Sequence, residues 1–109
     1  MIHRTLLAIA TIVATAAPGA SFAADLENGN KLARQCSACH GRQGISRDPE
    51  VPIIAGQHAF YLEKALKDYR DGGREDRRMT LIVQRLSDTD IKDLAAHFAA
   101  FEIGIKELD

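Results

Sequence analysis

From residue 26 onward the apolar positions of this chain recur at intervals of three and four, the period of a helix with one buried face. Leu26, Gly29, Leu32, Ala33 and Cys36 share such a face and predict a first helix from about Leu26 to Ala38, with Asp25 as its N-cap. Leu62, Ala65, Leu66 and Tyr69 predict a second from about His58 to Arg70, stopped by Gly72 and Gly73. A short third stretch runs from Thr80 to about Leu86, with Leu81, Ile82 and Leu86 apolar. The fourth, from Leu86 to Phe101, has the clearest start. Ser87 and Asp90 form an S-x-x-D capping box, Leu86 and Ile91 suit a hydrophobic staple, and Ile91, Leu94, Ala95 and Phe98 face one way. No stretch reads as a strand, so the pattern predicts one all-α domain of about four helices. Gly29 inside the first helix costs ~1 kcal/mol against alanine, which suggests that another backbone passes close to it.

The first residues follow a different pattern. His3 and Arg4 precede an uncharged apolar run from Leu6 to Ala17; Pro18 and Gly19 break it, and Ser21 and Ala23 sit at −3 and −1 of a small-residue cleavage site. This is the form of a secretory signal peptide. The apolar run is about a dozen residues, short of the ~20 that span a bilayer. The expectation is therefore a cleaved signal over 1–23, export to the periplasm, a domain over 24–109 and no stable membrane insertion after cleavage.

With 46% hydrophobic and 27% charged residues the composition is globular, and the net charge of −1 gives no basis for binding nucleic acid. Residues 24–109 alone make a thin core, and domains of this size often need a staple. The two cysteines, Cys36 and Cys39, are too close for a disulfide to remove much loop entropy. Something else must fill and fasten the core.

Cys36-Ser37-Ala38-Cys39-His40 is C-x-x-C-H, the attachment signature of c-type haem. Two thiols three residues apart at a helix end reach the two vinyl groups on one side of a porphyrin, and the next residue projects its imidazole to the iron. Other readings stand beside it. A thioredoxin-like redox pair needs a βαβ context that is not seen here. A zinc site needs four ligands, with His58 or His97 as the fourth. Once residues 1–23 are removed, Met79 is the only methionine. It lies in a loop between two predicted helices, behind Arg77 and Arg78, and is the candidate thioether for a sixth iron position. His58 and His97 are rival ligands, and Met79 as core filler is the plain alternative.

These residues bring a family into view. From about Leu26 to Phe101 the chain resembles class I cytochromes c, and most closely the small bacterial type that also forms each half of two-haem periplasmic cytochromes. Four features in order carry the resemblance: C-S-A-C-H followed by Gly41, the segment Val51-Pro52-Ile53-Ile54-Ala55-Gly56-Gln57, its continuation His58-Ala59-Phe60-Tyr61-Leu62, and Met79 seven residues before Leu86-Ser87-Asp88. The resemblance implies a fold in which the helices wrap one covalent haem c and its iron, with the first and last helices crossing near Gly29. It implies that His40 and Met79 hold the iron and that the carbonyl of Pro52 accepts from Nδ1 of His40. It implies that Ile54 and Tyr61 line the haem pocket, and that Tyr61 or Gln57 reaches a propionate. The chain departs from the family at His97, where Tyr or Phe is usual; a histidine there stacks, is partly exposed or titrates near neutral pH.

The function expected is single-electron carriage between redox protein partners, with no catalytic residues. No nucleophile–base pair, paired carboxylates or phosphate loop is present. A cytochrome subunit of a larger dehydrogenase or oxidase is the second reading, and a haem sensor or peroxidase with an open sixth position is the third. The charge run Arg70, Asp71, Arg74, Glu75, Asp76, Arg77 and Arg78 is a solvated face in the plain reading and a guide for acidic partners in the functional one.

Overall fold

The computed structural model describes residues 12–14 and 23–108. The signal-peptide reading of 1–23 falls largely outside these residues. No helix among them is long and apolar enough to cross a membrane.

Five helices and no strand are found among the described residues: α1 (Leu26–Ala33), α2 (Ser37–His40), α3 (Ala59–Asp71), α4 (Met79–Ile82) and α5 (Asp88–Ala99). The all-α expectation holds, with two differences in the elements. The expected first helix is two. At its end the chain tightens into i→i+3 bonds, Gln35 N–H to Leu32 carbonyl, Cys36 to Ala33 and Ser37 to Arg34. The hydroxyl of Ser37 also donates to the Ala33 carbonyl at 3.0 Å, a back-bond that bends a helix. The expected third helix is a single turn that starts one residue earlier than predicted, so Met79 opens a helix instead of lying in a loop.

The core gathers Ala33, Leu62, Val83, Leu86, Ile91, Leu94, Ala95 and Phe98. Val83 is fully buried although no helical stripe pointed to it. Conversely Leu26, on the predicted buried face of α1, is 53% exposed. On α3 only Leu62 is buried; Ala65, Leu66 and Tyr69 are partly open because their face lines a cavity.

α5 is the organising element, with α1 and α3 packed against it. Its N-terminus has the expected reciprocal cap: Ser87 Oγ accepts from the Asp90 N–H at 3.0 Å, and Asp90 accepts from the Ser87 N–H at 3.1 Å. Such a cap is worth about 1 kcal/mol. α1 crosses α5 at Gly29, where a Cβ would lie 2.3 Å from the carbonyl oxygen of Asp93 and 2.9 Å from the His97 Cβ. The crossing carries a buried polar latch that the hydrophobic pattern does not show. Asp93, 3% exposed, accepts from the Asp25 N–H at 2.8 Å and from the Asn28 amide at 2.9 Å.

Alanine at Gly29 gains ~1 kcal/mol of helix propensity, but its Cβ meets backbone that cannot swing aside. Overpacking of this kind costs about 1–3 kcal/mol, so Gly29→Ala is expected to lower the guanidinium midpoint of the holoprotein in spite of its better propensity.

His97 sits at this crossing with its ring edge-on to Phe98 at 5.0 Å and Phe101 at 5.3 Å. Burial lowers its pKa from the ordinary 6.5. A depressed folded value means that the unfolded chain takes up the proton first, so stability from this residue is present above about pH 6.5 and declines as pH falls below it. His97→Phe keeps the ring packing and removes the proton site. Its denaturation midpoint should gain on the wild type as the buffer is moved from pH 8 toward pH 5.5, and a gap that stays constant with pH would refute this.

Candidate functional site

The i→i+3 tightening after α1 carries straight into the C-x-x-C-H segment. The N–H of Cys39 and that of His40 both bond to the Cys36 carbonyl, at 3.3 and 2.9 Å, so the two cysteines and the histidine ride on one short helical turn. Gly41 follows with φ of 81°; a Cβ there would sit 2.3 Å from the Ile45 carbonyl oxygen, and only glycine turns the chain this way.

His40 is buried, and its Nδ1 lies 2.9 Å from the Pro52 carbonyl oxygen. A carbonyl only accepts, so Nδ1 carries the proton and Nε2 keeps its lone pair for another partner. Pro52 is itself held in place. Val51 N–H bonds to the Asp48 carbonyl at 3.0 Å, and the N–H groups of Ile54 and Ala55 converge on the Gly44 carbonyl at 2.8 and 3.1 Å.

Cys36, Cys39 and His40 line a cavity of about 440 Å³. Pro52, Ile54, Tyr61 and Met79 line the same cavity, with Leu62, Leu66 and Ile82 among its apolar walls. Ile54 also packs on the core. Tyr61 is half exposed, and Gln57 lines the cavity while its Oε1 accepts from the His58 N–H at 2.8 Å. The size is that of a cofactor pocket. Two thiols, an imidazole with a free lone pair and a thioether within apolar walls form a donor set that fits covalent haem.

The rival ligands are elsewhere. His58 is exposed at the N-cap of α3, His97 is in the α1–α5 crossing, and neither lines the cavity. Among the described residues no three His, Cys, Asp or Glu side chains converge as a metal site, so the zinc reading lacks its fourth ligand. Burial, and then the neighbouring Cys39, push the Cys36 thiol up to about 11. Thiol–disulfide exchange favours the opposite shift.

The charged residues of 70–78 have different partners. Arg70 is not free: its guanidinium donates to the Leu86 carbonyl at 3.2 Å and pairs with Asp71 at 2.8 Å and Asp88 at 2.7 Å, tying α3 to the start of α5. Arg74 stacks 4.7 Å over the Tyr69 ring, and both Arg74 and Arg78 line the cavity. Asp76, read from sequence only as a member of this run, accepts from the N–H groups of Met79 and Arg78, and these bonds, Met79's first, hold its carboxyl below the ordinary carboxylate range. A D-x-x-M spacing ahead of a short helix is the signal that would have singled it out.

Residues 26–100 match the family model for cytochrome c. The chain is 40% identical over 90 residues to cytochrome c4 of Pseudomonas aeruginosa, covering 83% of this chain and 45% of that protein. It is 42% identical over 83 residues to cytochrome c-554(548) of Halomonas halodenitrificans, covering 73% of this chain and all of that one. The crystal structure of reduced recombinant cytochrome c4 from Pseudomonas stutzeri superposes with a TM-score of 0.65 at 31% identity, over 71% of this chain and 48% of that one. The chain thus spans about half the length of the cytochrome c4 proteins it matches. A haem-ready motif, an all-α fold with its first and last helices crossed, and these likenesses agree: the chain belongs to the cytochrome c family, whose members bind covalent haem c with its iron and transfer electrons.

Proposed function

We propose that residues 24–109 form an exported single-haem electron carrier of the periplasm, with Cys36 and Cys39 as the thioether anchors and His40 and Met79 as the axial ligands. The observation that carries this reading is the Pro52–His40 hydrogen bond, which engages Nδ1 and leaves Nε2 for a ligand role, on a histidine that lines the same cavity as Met79. When bound, the haem supplies the one-electron couple of its iron. The chain supplies the rest. Pro52 orients the imidazole and raises its basicity. Met79 adds a soft donor that favours the reduced state. Leu62, Leu66 and Ile82 keep water from the walls. Export is supported by the charged, apolar and small-residue regions of 1–23, a pattern that removal of that segment in the mature protein would complete.

Redox proteins are the partners, and Arg74 and Arg78 at the cavity, with exposed Arg77 beside them, favour an acidic docking surface on one of them. Absorption spectra of both oxidation states test the whole assignment. Six-coordinate low-spin spectra, a weak far-red sulfur-to-iron band in the oxidised protein and inertness of the reduced protein to carbon monoxide are expected. Rapid carbon monoxide binding would instead place the protein with haem sensors.

A further inference from the structure

Met79 opens a helix of only four residues, too short to hold itself in place, since nucleating a turn is unfavourable. Its position therefore depends on what braces that turn. Asp76 Oδ1 accepts from the N–H of Met79 and from that of Arg78, both at 2.8 Å. Asp76 is tied in return: its N–H donates to the Thr80 hydroxyl at 3.0 Å, and its carbonyl accepts from the Thr80 N–H at 3.1 Å. Gln84 then ropes the far end of the turn to α3, its amide donating to the carbonyls of Thr80 at 2.9 Å and Arg70 at 3.2 Å. Of these side-chain contacts, the one from Asp76 falls on the peptide of Met79 itself, and both residues line the cavity.

We propose that Asp76 is a positioning residue for the thioether: by fixing the peptide of Met79 it sets how firmly that side chain is presented to the haem iron. The inference rests on the axial role of Met79. A thioether is a weak donor, so its occupancy of the iron depends on how little freedom the chain gives up on binding. With Asp76 in place the turn is preformed. Without it, two amides lose their acceptor and Met79 must be ordered at the moment of ligation. Alanine removes both the charge and the acceptor oxygen of Asp76, whereas asparagine removes only the charge, so the two variants compared isolate the acceptor.

Asp76→Ala and Asp76→Asn in the full holoprotein test this, because asparagine retains an Oδ1 acceptor. Asp76→Ala should weaken the far-red band, place the midpoint potential below that of Asp76→Asn, which has lost the same charge, and raise the fraction of reduced protein that takes carbon monoxide by at least roughly five-fold, the change in equilibrium expected from loss of the hydrogen bond on the Met79 peptide alone. Asp76→Asn should restore the band and the resistance to carbon monoxide toward wild type, and its potential should lie above that of Asp76→Ala. Wild-type values in Asp76→Ala on all three readouts overturn the proposal, as does an Asp76→Asn protein no different from Asp76→Ala. Should Asp76→Ala yield no holoprotein, Thr80→Val carries the test: it removes only the acceptor for the Asp76 N–H, and a smaller shift in the same direction is expected, its absence counting against the proposal. A wild type that lacks the band removes the axial role of Met79, and the proposal with it, whereas a band that is present and indifferent to Asp76 removes only the proposal.

Discussion

Replacing either Cys36 or Cys39 by alanine is expected to reduce the yield of holoprotein to a small fraction of wild type, and any haem held by the Cys36→Ala/Cys39→Ala protein should extract into acid–acetone, which the wild-type haem should resist. The reason lies in the cavity as much as in the lost bond. At ~24 cal/mol for each Å³ left empty, a void of about 440 Å³ corresponds at most to ~10 kcal/mol, the same order as the whole stability of a domain. Water that enters the void lowers that figure, but it also wets Leu62, Leu66 and Ile82, whose burial against the haem would otherwise add to the stability of the core. The chain without its cofactor is therefore expected to lose fixed packing, visible as loss of near-ultraviolet circular dichroism and early digestion by protease. The single variants should fall between wild type and Cys36→Ala/Cys39→Ala, because one thioether still tethers the group. Haem that extracts freely from the wild type would mean that the cysteines are not the anchors.

The features legible in the sequence were those written locally. The C-x-x-C-H spacing, the Ser87–Asp90 box and the apolar stripe of α5 each lie within a few consecutive residues, and each describes the structure directly. Gly29 was legible as an anomaly, a glycine where a helix disfavours one, and the 2.3 Å approach to the Asp93 carbonyl is its explanation.

What could not be read depends on residues far apart in the chain. Asp93 breaks the apolar stripe of α5 and looks like a solvent-facing residue until Asp25 and Asn28, 68 and 65 positions away, supply its donors. Arg70 looks like part of a free cationic run until the Leu86 carbonyl and Asp88 engage it. The break between α1 and α2 is invisible to a 3.6-residue period because an i→i+3 turn keeps nearly the same residues on the same face. The periodicity of α3 picks out its inward face, but the partial exposure of that face follows from a cavity that no helical periodicity encodes.

Met79→Ala should give the second largest effect, and it separates a carrier from a ligand-binding haem protein. Met79 lines the cavity with the cysteines and His40, while His58 is exposed on another element and His97 is wedged between Phe98 and Phe101. Neither histidine replaces the thioether without unpacking: His97 would have to leave the α1–α5 crossing, and His58 would have to unwind the start of α3, whose Leu62 N–H bonds to the His58 carbonyl. The variant should therefore keep an open sixth position. It should lose the far-red sulfur-to-iron band, bind carbon monoxide rapidly when reduced and show a lower midpoint potential, because the ferrous state loses the soft donor that favoured it. Its thermal stability should also fall, since a partly buried side chain packed on the core is truncated; loss of a methionine in such a site costs about 2–5 kcal/mol. Met79→Leu separates the two effects. It keeps nearly the same volume, so it should recover most of the stability and none of the band, potential or resistance to carbon monoxide. A leucine variant that retained the wild-type spectrum would show that the sixth ligand is not Met79, and electron carriage by this chain would then yield to the sensor reading.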